Sequence, residues 1–182
     1  MINYYDWAEY QSKMHSNKIA ITDYLLNKKI SYKELNSSAC KIANYLQAKG
    51  IGHGDRVAIL SKNHSIFFEL QFACSKTGSI MVPLNWRLTA NELTFILNDC
   101  EPSLLIVDDC FETIADQLRS LTPTIMIQFF SSDEKPSEFQ ENINGCLSDF
   151  ERVPLSLDDL IMIMYTSGTT GHPKGAKINH KM

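Results

Sequence analysis

Several features that mark large classes of proteins are missing from this sequence. No apolar run approaches the length of a bilayer-spanning helix, so we expect no transmembrane segment. The first 15 residues carry two acids and no apolar block, and we expect neither a signal peptide nor an anchor there. The five cysteines form no CxxC pair, which predicts reduced thiols and a cytoplasmic location.

An excess of positive charge is also missing. Seventeen basic residues against 21 acidic ones leave a formal net charge of −4, so we expect no nucleic-acid partner. His15, His53, His64 and His180 show no metal-ligand spacing. Cys74 lies in a densely apolar segment, and we interpret it as an inert core thiol.

The residues that are present fit a folded globular domain. Of the 182 residues, 44% are hydrophobic and 21% are charged, which are ordinary values for such a domain. A chain of this length buries roughly 70% of the surface that its unfolded form exposes, so we expect one core rather than two large ones.

Short apolar strands alternate with amphipathic helices from residue 19 onward. A strand pair turns at Asn27 and Lys28, and further strands are predicted at 56–60, 79–84, 104–108 and 124–129. Helices are predicted at 65–78, at 111–119 and after two capping boxes, Ser31 with Glu34 and Thr89 with Glu92. This alternation predicts an α/β fold with a mainly parallel, helix-covered sheet.

Residues 130–157 interrupt the alternation with acids, serines and two prolines, and we interpret them as a surface excursion. The chain then returns in an apolar strand at 160–166, and a second strand at 176–180 follows a glycine-rich loop. Trp86 and Arg87 have the chemistry of a binding pair, but a bend before Thr89 explains both as structure.

The glycine-rich loop "TSGTTGHPKG" has the chemistry of a polyphosphate site. Its glycines allow backbone N–H groups to converge on an anion, and its hydroxyl residues and Lys174 add further donors. A Walker loop is disfavoured, because Pro173 precedes Lys174, Gly175 follows it, and the next segment is a predicted strand. An ordinary turn with a solvated Lys174 is the alternative for a loop of this composition.

The whole run "YTSGTTGHPKGA" resembles the phosphate-binding signature of the adenylate-forming superfamily. That superfamily includes acyl-CoA synthetases, luciferases and the adenylation domains of peptide synthetases. The similarity covers nearly the whole chain, since "ISYKELNSSACKIANYLQAKGIGHGDRVAIL" and "KTGSIMVPLNWRLTANELTFILNDCEPSLLIVD" resemble the opening segments of these enzymes. The segment "PLNWRL" favours fatty-acid or related acid–CoA ligases.

The resemblance implies a two-step reaction on a small-molecule carboxylic acid. ATP first converts the acid to an acyl-adenylate, and coenzyme A then takes the acyl group, with Mg²⁺ accompanying the nucleotide. By position in the motif, Thr166 would also lie near the α-phosphate and Mg²⁺, whereas His172 has no implied role. The residues implied to enclose the ATP phosphates are Thr166, Ser167, Gly168, Thr169, Thr170, Gly171 and Lys174.

The resemblance further implies that residues 1–182 form the N-terminal part of the AMP-binding domain in a truncated form of the fold. The adenine pocket, most of the acyl pocket and a catalytic lysine would lie downstream, so we expect no catalytic residue here and no activity from this chain alone. We also expect self-association through residues 160–182, an apolar strand beside an open sheet edge. An adenylation domain of a peptide synthetase and a non-catalytic phosphate-binding remnant are the alternatives.

Overall fold

The structure, a computed structural model, describes residues 6–24, 26–131, 136–166 and 173–181. Its strands are β1 (Ile19–Asp23), β2 (Lys28–Ser31), β3 (Arg56–Leu60), β4 (Ile80–Leu84), β5 (Leu104–Asp108), β6 (Met126–Phe130), β7 (Leu160–Thr166) and β8 (Lys174–Asn179). Its helices are α1 (Trp7–Met14), α2 (Tyr32–Ala48), α3 (Ile66–Thr77), α4 (Ala90–Cys100), α5 (Glu112–Leu121) and α6 (Glu138–Asn144).

The strands form a small hairpin and one large sheet. β1 and β2 pair antiparallel, and the other six strands form a sheet in the order β6-β5-β3-β4-β7-β8. Every pairing within that sheet is parallel except that of β7 with β8, which is antiparallel. The α/β fold and the mainly parallel sheet predicted from the sequence are confirmed.

Helices cover both faces of the large sheet, because its central strands are apolar on both sides. Val57 and Ile59 of β3 face one cluster of buried side chains, to which α2, α3 and α6 contribute. Ala58 and Leu60 face a second cluster, to which α4 and α5 contribute. Alternate residues of a strand point to opposite faces, so the continuous apolar run of β3 is explained by burial on both sides.

Local signals in the sequence predicted where several helices begin. Ser31 with Glu34 and Thr89 with Glu92 form complete capping boxes at the starts of α2 and α4. The backbone N–H groups of Ser31 and Thr89 donate to these two glutamates and lower the pKa of each. Capping boxes are recognisable from spacing alone, which is why both predictions are confirmed.

The interpretation of residues 130–157 as a surface excursion is wrong in part. Ser137 caps α6, whose Phe139 is fully buried and packs edge-to-face on Tyr45, with ring centroids 5.3 Å apart. The Asn44 side-chain amide, on α2, donates to the carbonyls of residues 147 and 149 at 3.0 and 2.8 Å. This segment therefore belongs to the core and is fastened to α2. Several strand bounds also differ from the prediction, most of all the starts of β6 at Met126 and of β8 at Lys174.

A helix that the sequence analysis did not predict, α1, is joined to α3 by a buried ion pair. Asp6 caps α1 by accepting from the backbone N–H of Glu9 at 2.9 Å. Its other carboxylate oxygen lies 2.5 Å from the Lys76 ammonium, and the two side chains are 1% and 2% exposed. A buried charge needs a partner, and one carboxylate here serves as both cap and countercharge.

The Asp6–Lys76 pair gives a test of this part of the fold. Asp6→Asn keeps a good helix cap but leaves Lys76 buried without a countercharge. We expect the free energy of unfolding, measured by urea denaturation, to fall by about 3 to 5 kcal/mol. Asp116→Asn, which removes the exposed pair with Arg119, should cost less than about 1 kcal/mol. Similar losses in the two variants would contradict this account of α1.

Candidate functional site

Two of the seven predicted phosphate-binding residues lie opposite each other on the antiparallel pair β7 and β8. Thr166 ends β7, Lys174 begins β8, and the two are partners in the strand register. Both are exposed. The other predicted residues lie outside the described part of the chain: Ser167, Gly168, Thr169, Thr170 and Gly171. The structure thus brings together a hydroxyl and an ammonium at one end of the sheet.

This end is the carboxyl edge of the parallel strands. β7 runs parallel to β4, and the two strands pair at Met81 and Met162, so Thr166 lies toward the edge where β3, β4 and β5 also finish. Open parallel sheets bind ligands in the crevice at this edge. The position of Thr166 and Lys174 therefore suits a ligand-binding role.

Further polar side chains at the same edge were not singled out from the sequence. Ser61 follows β3 and Asp108 ends β5, and the Ser61 hydroxyl lies 3.2 Å from an Asp108 carboxylate oxygen. Both are buried. The other carboxylate oxygen of Asp108 accepts from the backbone N–H of Cys110 at 3.3 Å. The signal that could have found them is a polar residue directly after a buried strand.

Trp86 and Arg87 occupy a turn after β4, as the sequence predicts. The backbone N–H of Arg87 donates to the Asn85 side chain at 3.1 Å, and the half-buried Trp86 packs against the core cluster of α4 and α5. Two exposed cations lie near the indole, with the Arg87 guanidinium 4.5 Å and the Lys62 ammonium 5.7 Å from the ring centroid. The carboxyl edge therefore carries positive charge besides that of Lys174.

The Tyr165 side chain connects β7 to the neighbouring helix and lies against β8. Its hydroxyl donates to the carboxylate of Asp99, near the end of α4. Burial, followed by this acceptor, raises the pKa of Tyr165 well above its usual range, so the hydroxyl remains a donor at neutral pH. A Cβ atom on Gly175 would come within 3.1 Å of the Tyr165 ring and 2.9 Å of Ile163. Glycine is therefore required there by close approach.

The opposite end of β7 is fastened by Asp159. The backbone N–H of Ser156 donates to its carboxylate at 2.7 Å and lowers its pKa, with a smaller contribution from His53 at 3.3 Å. The backbone N–H of His180 donates to the Asp159 carbonyl at 3.1 Å. These contacts hold the start of β7 to the chain that follows β8.

The described residues also bear on the histidine and cysteine interpretations. They contain no group of three or more His, Cys, Asp or Glu side chains placed to hold a metal ion. All five cysteines are free. Cys74 is fully buried, and burial raises its pKa to about 12, which confirms the interpretation of an inert core thiol. No helix among the described residues is long and apolar enough to cross a bilayer.

Comparisons with known proteins agree with this geometry. Residues 8–182 match the model of the AMP-binding enzyme family. The chain is 34% identical over 154 residues to the fatty acid–(acyl-carrier-protein) ligase ScoC of Streptomyces coeruleorubidus, covering 84% of this chain and 28% of that protein. It is 36% identical over 153 residues to a feruloyl-CoA synthase of an Amycolatopsis species, covering 83% and 28%. The chain thus spans under a third of these two relatives.

Solved structures of other proteins have a fold similar to that of this chain. The anthranilate CoA ligase AuaEII in complex with anthranoyl-AMP superposes with a TM-score of 0.89 at 26% identity, covering 100% of this chain and 36% of that one. ATP-bound MatB from Rhodopseudomonas palustris superposes with a TM-score of 0.80 at 30% identity, covering 98% and 35%. The similarity extends from α1 to β8.

Gly175→Ala tests the close approach of β8 to Tyr165. The added methyl would meet Ile163 and Tyr165 within 3.1 Å, and we expect a loss of about 1 to 3 kcal/mol in free energy of unfolding. Gly145→Ala is a matched control, because its nearest new contact would be an ordinary 3.6 Å. It should change stability by less than about 0.5 kcal/mol. Equal stability of both variants in urea would show that β8 does not lie against the Tyr165 ring.

Proposed function

Because the chain belongs to the AMP-binding enzyme family, we propose that it forms the N-terminal part of the AMP-binding domain of an ATP-dependent acid–CoA ligase. The enzyme would activate a small carboxylic acid as an acyl-adenylate and transfer the acyl group to coenzyme A. Two relatives, a fatty acid–(acyl-carrier-protein) ligase and a feruloyl-CoA synthase, support an organic acid in general. A fatty acid is the finer proposal, supported by the "PLNWRL" segment.

One observation carries this proposal for the chain itself. The strand register sets the Thr166 hydroxyl opposite Lys174 at the carboxyl edge of the sheet. A hydroxyl donor beside a mobile ammonium fits the oxygens of a polyphosphate. We propose that Thr166 and Lys174, with residues 167–171 between them, bind the β- and γ-phosphates of ATP. Bound ATP in MatB and anthranoyl-AMP in AuaEII support a nucleotide substrate.

The chemistry explains why such a site is useful. In the first step an anionic carboxylate oxygen attacks the α-phosphorus, and the bond to the pyrophosphate oxygen breaks. The leaving pyrophosphate gains negative charge, which the Lys174 ammonium and the Thr166 hydroxyl would stabilise. In the second step the sulfur of coenzyme A attacks the acyl carbon and AMP departs. Residues of this chain would therefore position and neutralise phosphate rather than take part in covalent chemistry.

Magnesium would be bound largely by the nucleotide. Mg²⁺ in nucleotide sites keeps several waters and takes substrate phosphates as ligands, with few protein ligands. Thr166, exposed at the carboxyl edge, offers one hydroxyl oxygen for this purpose. The five free thiols support a cytoplasmic enzyme, because thiols stay reduced in that compartment.

Lys174→Ala tests the proposed phosphate site directly. We expect the affinity of the chain for magnesium tripolyphosphate, measured by calorimetry, to fall about tenfold with the loss of one charge-assisted contact. Lys177→Ala is the matched control, because Lys177 is also exposed on β8 but belongs to the opposite face of the strand pair. In a polypeptide that includes the rest of the domain, Lys174→Ala should cost on the order of 2 to 3 kcal/mol in kcat/KM for ATP. Equal weakening by both lysine variants would indicate non-specific attraction only.

We also propose that the chain self-associates through β7 and β8. β8 is the last strand of the sheet in the described residues, and Met164 on β7 is 45% exposed. An unpaired edge beside apolar surface favours pairing with a second copy. Lys174 and Lys177 would repel the same residues of that copy, so the association should strengthen as salt screens their charge.

Light scattering at micromolar concentration checks this proposal. We expect a dimer or a larger soluble assembly whose fraction rises between low salt and about 0.5 M salt, where the screening length falls below about 5 Å. Met164→Lys should shift the chain toward monomer by adding charge at the exposed position. A wild-type monomer at every salt concentration would overturn the proposal.

A further inference from the structure

At the end that carries Thr166, β7 is joined to β8 by strand pairing and to α4 by a side chain. Among the described residues, β7 pairs with β4 at Met81 and Met162, four residues before Thr166. β8 pairs with β7 along its whole length, from Leu160 to Thr166, and is the edge of the sheet in the described part of the chain. The Tyr165 hydroxyl, bonded to Asp99, joins this end of β7 to α4. The placement of Thr166 therefore depends on β8 and on the adjacent residue, Tyr165.

The Tyr165 side chain cannot contact a ligand bound at Thr166, because the two side chains point to opposite sides of β7. Alternate residues of a strand point to opposite sides, so Tyr165 and Ile163 lie on the side of α4 and α5, where both contact the same core cluster. Thr166 belongs to the other side. Any influence of Tyr165 on the proposed phosphate site must pass through the backbone.

The Tyr165 side chain contacts both β7 and β8. Tyr165 and Gly175 are register partners, one step before the pair Thr166 and Lys174. The ring lies so close to Gly175 that a Cβ atom there would be 3.1 Å away. The hydroxyl fixes the ring to α4, and the ring in turn limits how β8 can move over β7.

We propose that Tyr165, anchored by Asp99, is a positioning residue for the phosphate site. It sets the register of β8 against β7 and so the relative position of the Thr166 hydroxyl and the Lys174 ammonium. This inference rests on the proposed function, because a fixed spacing of those two groups matters only if both bind one ligand. Asp99 acts as acceptor, and asparagine at that position can still accept through its side-chain carbonyl.

Three variants of the 182-residue chain separate positioning from general packing. Tyr165→Phe keeps the ring and removes the hydroxyl, whereas Asp99→Asn keeps an acceptor. Tyr45→Phe is the matched control, because the Tyr45 hydroxyl is buried and makes no hydrogen bond in the described structure. Two measurements are made on each variant: amide hydrogen exchange along the chain and the affinity for magnesium tripolyphosphate.

In Tyr165→Phe we expect the amides of residues 163–166 and 174–177 to exchange about three- to tenfold faster, the range for loss of one net hydrogen bond. The central strands β3 and β5 should exchange at the wild-type rate. Affinity for tripolyphosphate should fall by a similar factor, with KD in Asp99→Asn closer to the wild-type value. Tyr45→Phe should match the wild type in both measurements.

Two other results would count against separate claims. Exchange in β7 and β8 that is unchanged in Tyr165→Phe, or that rises by the same factor as in β3 and β5, would overturn the positioning role whether or not ligand binds. A wild-type chain that shows no affinity for tripolyphosphate would overturn the proposed function, and with it the reason for fixing Thr166 against Lys174.

Discussion

A parallel sheet must be covered on both faces, and most of this chain serves that requirement. The strands β3, β4 and β5 are apolar at nearly every position, so each crossover must place a helix on one face or the other. α2 and α3 lie on one side and α4 and α5 on the other. The same crossovers align the carboxyl ends of the strands, so the burial constraint also creates the edge where Ser61, Asp108 and Thr166 lie.

The antiparallel strand β8 distinguishes this carboxyl edge from one at which the chain continues into a helix. A phosphate loop that leads from a strand into a helix can use the helix N-terminus to bind an anion. Here the chain turns back as a strand, and Lys174 stands opposite Thr166 in the register. In the proposed phosphate site, the side chains of Thr166 and Lys174, together with the loop between them, take the place of such a helix end. Strand register would therefore decide whether the two groups proposed to bind phosphate are correctly spaced.

Most of the correct sequence predictions rest on local signals, although one local signal was missed, the capping box of Ser137 with Gln140 at the start of α6. Capping boxes occupy four residues, and buried strands are short apolar runs, so α2, α4 and β3 were predictable. Sequence reasoning failed where a contact joins distant parts of the chain. Phe139 lies among acids and serines, and nothing near it shows that its ring packs on Tyr45. The hydrogen bond from Tyr165 to Asp99 joins residues 66 positions apart. No pattern in the sequence around either residue indicates the other as its partner.

The buried pair of Asp6 and Lys76 has a consequence for where a stable domain can begin. The two residues are 70 positions apart, yet the ammonium in the middle of the chain is neutralised by a carboxylate near its amino terminus. A polypeptide started at Met14 would retain every strand of the large sheet and lose α1 together with that carboxylate. Such a shortened polypeptide would be less stable, because Lys76 would lose its ion-pair partner and α2 would lose the helix that packs on it.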